Sequence, residues 1–242
     1  MSQNIYDDPE FFAAYATLPR SQHGLDAAPE WPSLRAMLPD VRERRVVDLG
    51  CGYGWFCRWA AAQGAAEVLG IDLSERMLAR AADEPHERIT YERQDLEMLE
   101  LPEATFDVAY SSLTLHYVVD LERMLAVVRR SLATGGAFVC SVEHPIFTAP
   151  SSPQFVEQPD GHTVWPLDGY LAEGPRRTNW LADGVVKQHR TIGTYLALLQ
   201  RMGFRLEQLI EWGPNDMDLA AHPEWANEVH RPAFMLLAAE AA

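Results

Sequence analysis

Val46-Val47-Asp48-Leu49-Gly50-Cys51-Gly52-Tyr53-Gly54 opens the stretch that decides the fold, and Gly70-Ile71-Asp72-Leu73-Ser74 completes it. A β-branched run ends in an acid and a Gly-x-Gly-x-Gly loop. A second apolar run then ends in another acid, 22 residues beyond Gly50. The pattern describes a strand, a tight loop and a helix start, where backbone amides can approach a ligand closely. Asp72, on the neighbouring strand, is placed to accept from both hydroxyls of a ribose. Glycines also mark ordinary turns, and an acid before Ser74 also suits a helix start. The two strand-ending acids together point instead to a nucleoside-containing cofactor.

The glycine spacing separates the candidate cofactors. A dinucleotide fingerprint wants Gly-x-Gly-x-x-Gly, with the third glycine allowing close helix–strand packing. Trp55 stands at that third position, and the loop's extra glycine, Gly54, comes one step earlier. Asp48 would repel a pyrophosphate and suits a ligand that carries positive charge.

With these features the chain resembles the class I S-adenosylmethionine-dependent methyltransferases, in particular the small-molecule group called type 11. Asp48 to Gly54 resembles the family's first motif and Gly70 to Leu78 its second. Gln94-Asp95-Leu96 sits where the family keeps an acid near the adenine. Phe106 to Ser112 is similar to its fourth-strand motif, and Leu132 to Phe138 to its turn into the fifth strand. The resemblance covers residues 41–143 closely and the remainder loosely.

It implies S-adenosyl-L-methionine as cofactor and S-adenosyl-L-homocysteine as product. It also implies an α/β, Rossmann-like, seven-stranded and mostly parallel sheet of order 3-2-1-4-5-7-6, the last strand antiparallel, with helices on both faces. The cofactor residues so implied are Asp48, Gly50, Cys51, Gly52, Tyr53, Gly54, Asp72, Leu73, Asp95 and Ser111, with Met77 and Leu96 around the adenine. No Asn-Pro-Pro-Tyr-like segment follows the fourth strand; Ser111-Ser112-Leu113-Thr114 stands there. In the family that argues against an amide or nucleobase nitrogen acceptor, and the motifs are otherwise nearly silent on the acceptor.

The rest of the chain is consistent with such a sheet. Strand patterns at about 45–49, 67–71, 88–93, 105–110 and 136–142 alternate with helix patterns at about 54–63, 75–83 and 121–131. In the last of these, Leu121, Met124, Leu125 and Val128 form one apolar stripe behind the N-cap candidate Asp120. A further helix carries Tyr195, Leu198, Leu199 and Met202 and stops at Gly203; strands near 204–211 and 232–239 close the chain. We expect a single methyltransferase domain over 1–242, with an N-terminal helical cover in 1–40. Residues 144–190 break the alternation with six prolines and with Trp165, Tyr170 and Trp180. So long a connection, rich in aromatics, reads as a cap insertion rather than a linker.

Ligands of an open α/β sheet bind beyond the carboxyl ends of its strands, where strand order reverses. Asp48 to Gly54, Asp72, Asp95, Ser111-Ser112 and Glu143-His144 all fall on that rim. Methyl transfer needs a base only when the acceptor arrives protonated, and the candidate bases are His116 and His144, with His189 at the end of the cap. Tyr15 and Arg20 precede the fold proper and could close over the methionine end of the cofactor. Arg176 and Arg177 are a second possible anion clamp.

Composition bounds the partners. The 242 residues are 48% apolar, ample for one core, and the formal charge is −15. That charge disfavours nucleic acid, whose phosphates it would repel. Cys51, Cys57 and Cys140 show no metal-ligand spacing and are odd in number, which suits a reducing compartment. The first ten residues are unlike a signal peptide and no run has membrane-spanning length. The expectation is a cytoplasmic monomer or homodimer without metal or membrane, acting on a small-molecule acceptor. Two alternatives stay open: a non-catalytic binder of S-adenosylmethionine or S-adenosylhomocysteine, and a nicotinamide-dependent oxidoreductase.

Overall fold

A computed structural model describes residues 3–242. Its centre is β1 (Arg45–Leu49), a β-branched run buried on both faces, as a strand flanked by helix layers must be. It pairs in parallel with β2 (Glu67–Asp72) on one side and β4 (Phe106–Ser112) on the other. β3 (Ile89–Arg93) extends the sheet beyond β2, and β5 (Leu132–Glu143) extends it beyond β4. Two short antiparallel pairs follow in the chain, β6 (Val156–Glu157) with β7 (Thr163–Val164) and β8 (Gly174–Thr178) with β9 (Val185–His189).

The main sheet closes with β10 (Phe204–Trp212) and β11 (Phe234–Ala241), giving the order β3-β2-β1-β4-β5-β11-β10. β11 is antiparallel to both neighbours. Counting only main-sheet strands, this is the order 3-2-1-4-5-7-6 that the resemblance implied. The reversal of strand order at β1 and β4 puts the ligand crevice beyond Leu49 and Ser112.

An N-terminal set of short helices, α1 (Pro9–Tyr15), α2 (Pro19–His23) and α3 (Trp31–Met37), precedes β1. α4 (Trp55–Ala62) starts from the left-handed Gly54 and buries Phe56, Cys57, Ala60 and Ala61. The hydroxyl of Ser74 caps α5 (Glu75–Ala82), accepting from Met77 N. Asp120 caps α6 (Leu121–Ser131) through Arg123 N, and the expected stripe of Leu121, Met124, Leu125 and Val128 is buried. α7 (Pro145–Thr148) opens the cap region, α8 (Ile192–Arg201) follows β9, and α9 (Asp216–Ala221) lies between β10 and β11. One apolar cluster joins α6 and α8 to the sheet, and another joins α3 and α4 to it. These two cores fix the sheet rigidly and leave its carboxyl edge to the loops.

Two expectations are refined here. β5 begins at Leu132, ahead of the expected strand, and its register against β4 slips between Phe106 and Val108. The glycine turn inside it, with Gly135 at φ 75°, absorbs the extra residues. The last two strands, expected near 204–211 and 232–239, run over Phe204–Trp212 and Phe234–Ala241, and their connection holds α9 and a 3₁₀ segment, Pro223–His230.

Candidate active site

Beyond the carboxyl ends of β1, β2 and β4 lies a cavity of about 1620 Å³. Pockets for one ligand run to roughly 1,000 Å³, so this space has room for more than one. Gly50, Gly52, Asp72, Leu73, Met77, Asp95, Leu96, Ser112 and His116 supply its floor. Tyr6, Tyr15 and Arg20 line it from the cover; Trp180 and Lys187 line it from the cap. A side chamber of about 100 Å³, lined also by Asp48, Cys51 and Tyr53, shares Tyr15, Arg20, Gly50, Gly52 and Ser112 with it.

The glycines divide by what a side chain there would meet. Gly52, at φ 52°, faces open space with nothing within 4 Å of an added Cβ, and it lines the cavity. A Cβ on Gly50 would strike Thr114 Oγ1 at 2.2 Å. Gly52 N donates to Asp72 Oδ2 at 2.9 Å, and Ser74 N donates to Oδ1 at 2.9 Å. Burial pushes the Asp72 carboxyl up, while these backbone donors pull it down. Each oxygen keeps a lone pair for a further donor. Asp95 Oδ1 accepts from Glu97 N at 3.0 Å, which fixes the loop that carries Leu96 into the cavity. An open glycine cradle, a carboxylate oriented by two backbone amides beside it, and apolar Met77 and Leu96 together fit a nucleoside with its sugar diol.

The methyltransferase domain model known as Methyltransf_11 matches residues 47–140, the span from β1 to the middle of β5. A crystal structure of an S-adenosylmethionine-dependent methyltransferase from Mesorhizobium loti superposes with a TM-score of 0.87 at 56% identity, over 90% of this chain and 100% of that one. This chain belongs to the S-adenosylmethionine-dependent methyltransferases. A second such structure, of a putative S-adenosylmethionine-dependent methyltransferase from Listeria monocytogenes, matches with a TM-score of 0.80 at 39% identity, over 88% and 98% of the two chains. An uncharacterized protein of Haemophilus influenzae is 32% identical over 98% of this chain and 96% of its own. Named curated relatives match more narrowly, the chain spanning 42% and 38% of the length of the first two.

Within this methyltransferase, the structure redistributes several expected site residues. Ser111 does not face the cavity: its hydroxyl donates to Leu49 O at 2.7 Å inside the sheet, and Ser112 takes the rim position. Gly54 is a packing glycine, because a Cβ there would lie 2.2 Å from Tyr91 Oη. Asp48 is buried against Cys57, whose thiol donates to Oδ2 at 3.3 Å, and burial raises its carboxyl to about 7. It reaches only the side chamber, as do Cys51 and Tyr53. Arg20 lines both spaces but is paired to the buried Glu30 at 2.6 Å.

Neither histidine proposed as a base is free to act as one. His144 is fully buried and outside the cavity lining; Nδ1 accepts from Ile146 N and Nε2 contacts Glu211 Oε1 at 3.0 Å. It is the N-cap of α7. His116 does line the cavity, but Nδ1 accepts from Glu143 N at 3.3 Å. A neutral ring so held carries its proton on Nε2, so neither nitrogen has a free lone pair to take another. Burial holds its pKa at about 4, so it is neutral at physiological pH.

That depression has a sign in stability. As pH falls, the unfolded chain protonates first, near its ordinary value of about 6.5, and the folded chain only near 4. His116 therefore withdraws on the order of 3 kcal/mol of stability between those limits. Denaturant titrations from neutral pH downward should show a shallower fall for His116→Asn than for wild type. Parallel curves would place the histidine in a solvated setting.

Sequence reading gave no site role to three lining residues, Tyr6, Tyr117 and Lys187, and placed Glu143 on the rim beside His144 without choosing between them. Lys187 Nζ donates to Glu143 Oε1 at 2.5 Å across 44 residues, a pairing with no local signature. Among the described residues no cluster of His, Cys, Asp and Glu could hold a metal ion, and no helix is long and apolar enough to cross a membrane.

Proposed function

We propose that this methyltransferase acts on a small-molecule acceptor enclosed between the sheet rim, the N-terminal cover and the cap. The observation that carries the reading is one cavity lined jointly by Asp72 and Gly52 from the sheet, Tyr15 from the cover, and Trp180 from the cap. The charge of −15 opposes nucleic acid.

In this reading Asp72 holds the ribose, while Met77 and Leu96 flank the adenine with Asp95 beside it. Gly50 and Gly52 let the backbone come close. Tyr15, Arg20 and the side chamber with Asp48 receive the methionine end, whose ammonium would keep Asp48 ionised. The cofactor supplies an electrophilic methyl group on a sulfonium. The protein's work is to align acceptor and methyl and to limit water, to which the cover and cap contribute by walling the cavity. On this view the chain is one catalytic unit with a cover over 1–40, of which Met1 and Ser2 lie outside the described residues, and a cap over 144–190.

Two measurements test it. Methyl-labelled cofactor, incubated with the enzyme and a cell extract, should put label in the low-molecular-weight fraction. Label confined to protein or nucleic acid would contradict the reading. With any acceptor found, Trp180→Ala should raise KM by about tenfold or more, as loss of an aromatic contact implies, and leave cofactor Kd within about twofold. A loss of cofactor affinity as large as the KM change would place Trp180 at the wrong end of the cavity.

A further inference from the structure

Lys187 and Glu143 form an ion pair on the cavity wall. Lys187 is 3% exposed, and Nζ lies 4.9 Å from the Trp180 ring centroid and 6.0 Å from that of Tyr117. Glu143 gives Oε1 to Nζ, while its Oε2 is buried without any donor. Aromatic rings continue the same wall. Tyr6 lies 6.1 Å from Tyr117 and 5.4 Å from Tyr15, and Tyr15 lies 6.3 Å from Trp180, all edge-to-face and all lining the cavity.

A purely structural pair would tie β9 to β5 and satisfy both carboxylate oxygens. Leaving a shielded carboxylate oxygen unmet costs free energy that a donor from a ligand would recover. Both residues line the cavity, and a guest that turns the partly exposed Glu143 side chain toward itself meets an acceptor and an ammonium together. An amine acceptor arrives as a cation and meets Lys187 as well as the sulfonium. A carboxylate acceptor suits Lys187 but leaves Oε2 facing a like charge. A hydroxyl both donates and accepts, so it satisfies both partners at once. Flat, ring-lined walls suit a flat, ring-bearing guest.

Resting on the small-molecule reading, we propose that the acceptor is an aryl hydroxyl and that Glu143 takes its proton. The acceptor oxygen forms a bond to the methyl carbon as the carbon–sulfur bond breaks, its electron pair returning to sulfur. The hydroxyl proton passes to the Glu143 carboxylate and then to water. Lys187 holds the carboxylate in place and stabilises charge growing on the acceptor oxygen.

The probes are 4-methylphenol, still protonated at mildly alkaline pH, and 4-nitrophenol, largely ionised there. Wild type should methylate both. Glu143→Gln should lose about a hundredfold or more on 4-methylphenol, the usual scale of general-base help, and less than about fivefold on 4-nitrophenol. Calorimetry with S-adenosylhomocysteine present should show weaker 4-methylphenol binding to the variant and unchanged S-adenosylhomocysteine binding, which also shows that the variant is folded. Equal losses on both phenols would reduce Glu143 to a structural role and overturn the proposal. Turnover of neither phenol by wild type would overturn it too. Methylation of benzoate or benzylamine in their place would leave the small-molecule reading standing, whereas label only in macromolecules would remove both.

Discussion

Gly52→Val lowers affinity for S-adenosylmethionine by more than about a hundredfold, a loss of roughly 3 kcal/mol or more. Two routes lead to that result. If the loop keeps its shape, a β-branched residue is forced to φ 52° and its methyls fill the open cradle in the cavity. If the loop relaxes to negative φ instead, Gly52 N leaves Asp72 Oδ2, and the carboxylate loses a donor that helps keep it ionised. Either way the ligand loses its seat. Gly52→Ala, with one methyl and milder strain, falls in between. Calorimetry on variants whose unfolding shows them to be folded checks the prediction, and an unchanged Kd for Gly52→Val would take the loop out of the site.

Gly54→Ala acts on stability rather than on the ligand. The new Cβ would sit 2.2 Å from Tyr91 Oη and 2.9 Å from its Cζ, at φ 72°. Backbone strain and overpacking together cost about 2–4 kcal/mol. Tyr91 Oη is buried without a partner, so Tyr91→Phe removes the closest clash without breaking a hydrogen bond. The double variant Gly54→Ala, Tyr91→Phe should therefore recover part of the loss, leaving the strain and the Cζ contact. Denaturant midpoints for the single and double variants measure the coupling directly. Additive effects would mean that Gly54 and Tyr91 do not meet. The contrast with Gly52 separates two glycines that share one motif.

Most of the sheet could be read from local pattern, because β-branched runs, glycine loops and the α6 stripe each specify their element without distant help. Asp120 as N-cap of α6 and Gly203 after α8 fell where their chemistry requires. At the rim the sequence left one choice open in each pair of neighbours. At a strand's end, side chains alternate between the sheet interior and the rim, so a one-residue choice selects the opposite face. Ser111-Ser112 and Glu143-His144 were read as rim pairs, and in each pair one member, Ser112 and Glu143, lines the cavity. The wall around Lys187 was illegible as a unit for another reason. Tyr6, Tyr117, Glu143 and Lys187 come from four separate segments, and only tertiary packing brings them together. His116 was found by position, but its direction of hydrogen bonding depends on Glu143 N, which no sequence pattern shows.

A crystal structure of this methyltransferase with S-adenosylhomocysteine tests the central claim most directly. The account predicts the ribose hydroxyls on Asp72, the adenine between Met77 and Leu96, and the sulfur facing the space bounded by Tyr15, Trp180 and Glu143. A ligand seated elsewhere, or one leaving Asp72 with only Gly52 N and Ser74 N as partners, would contradict it.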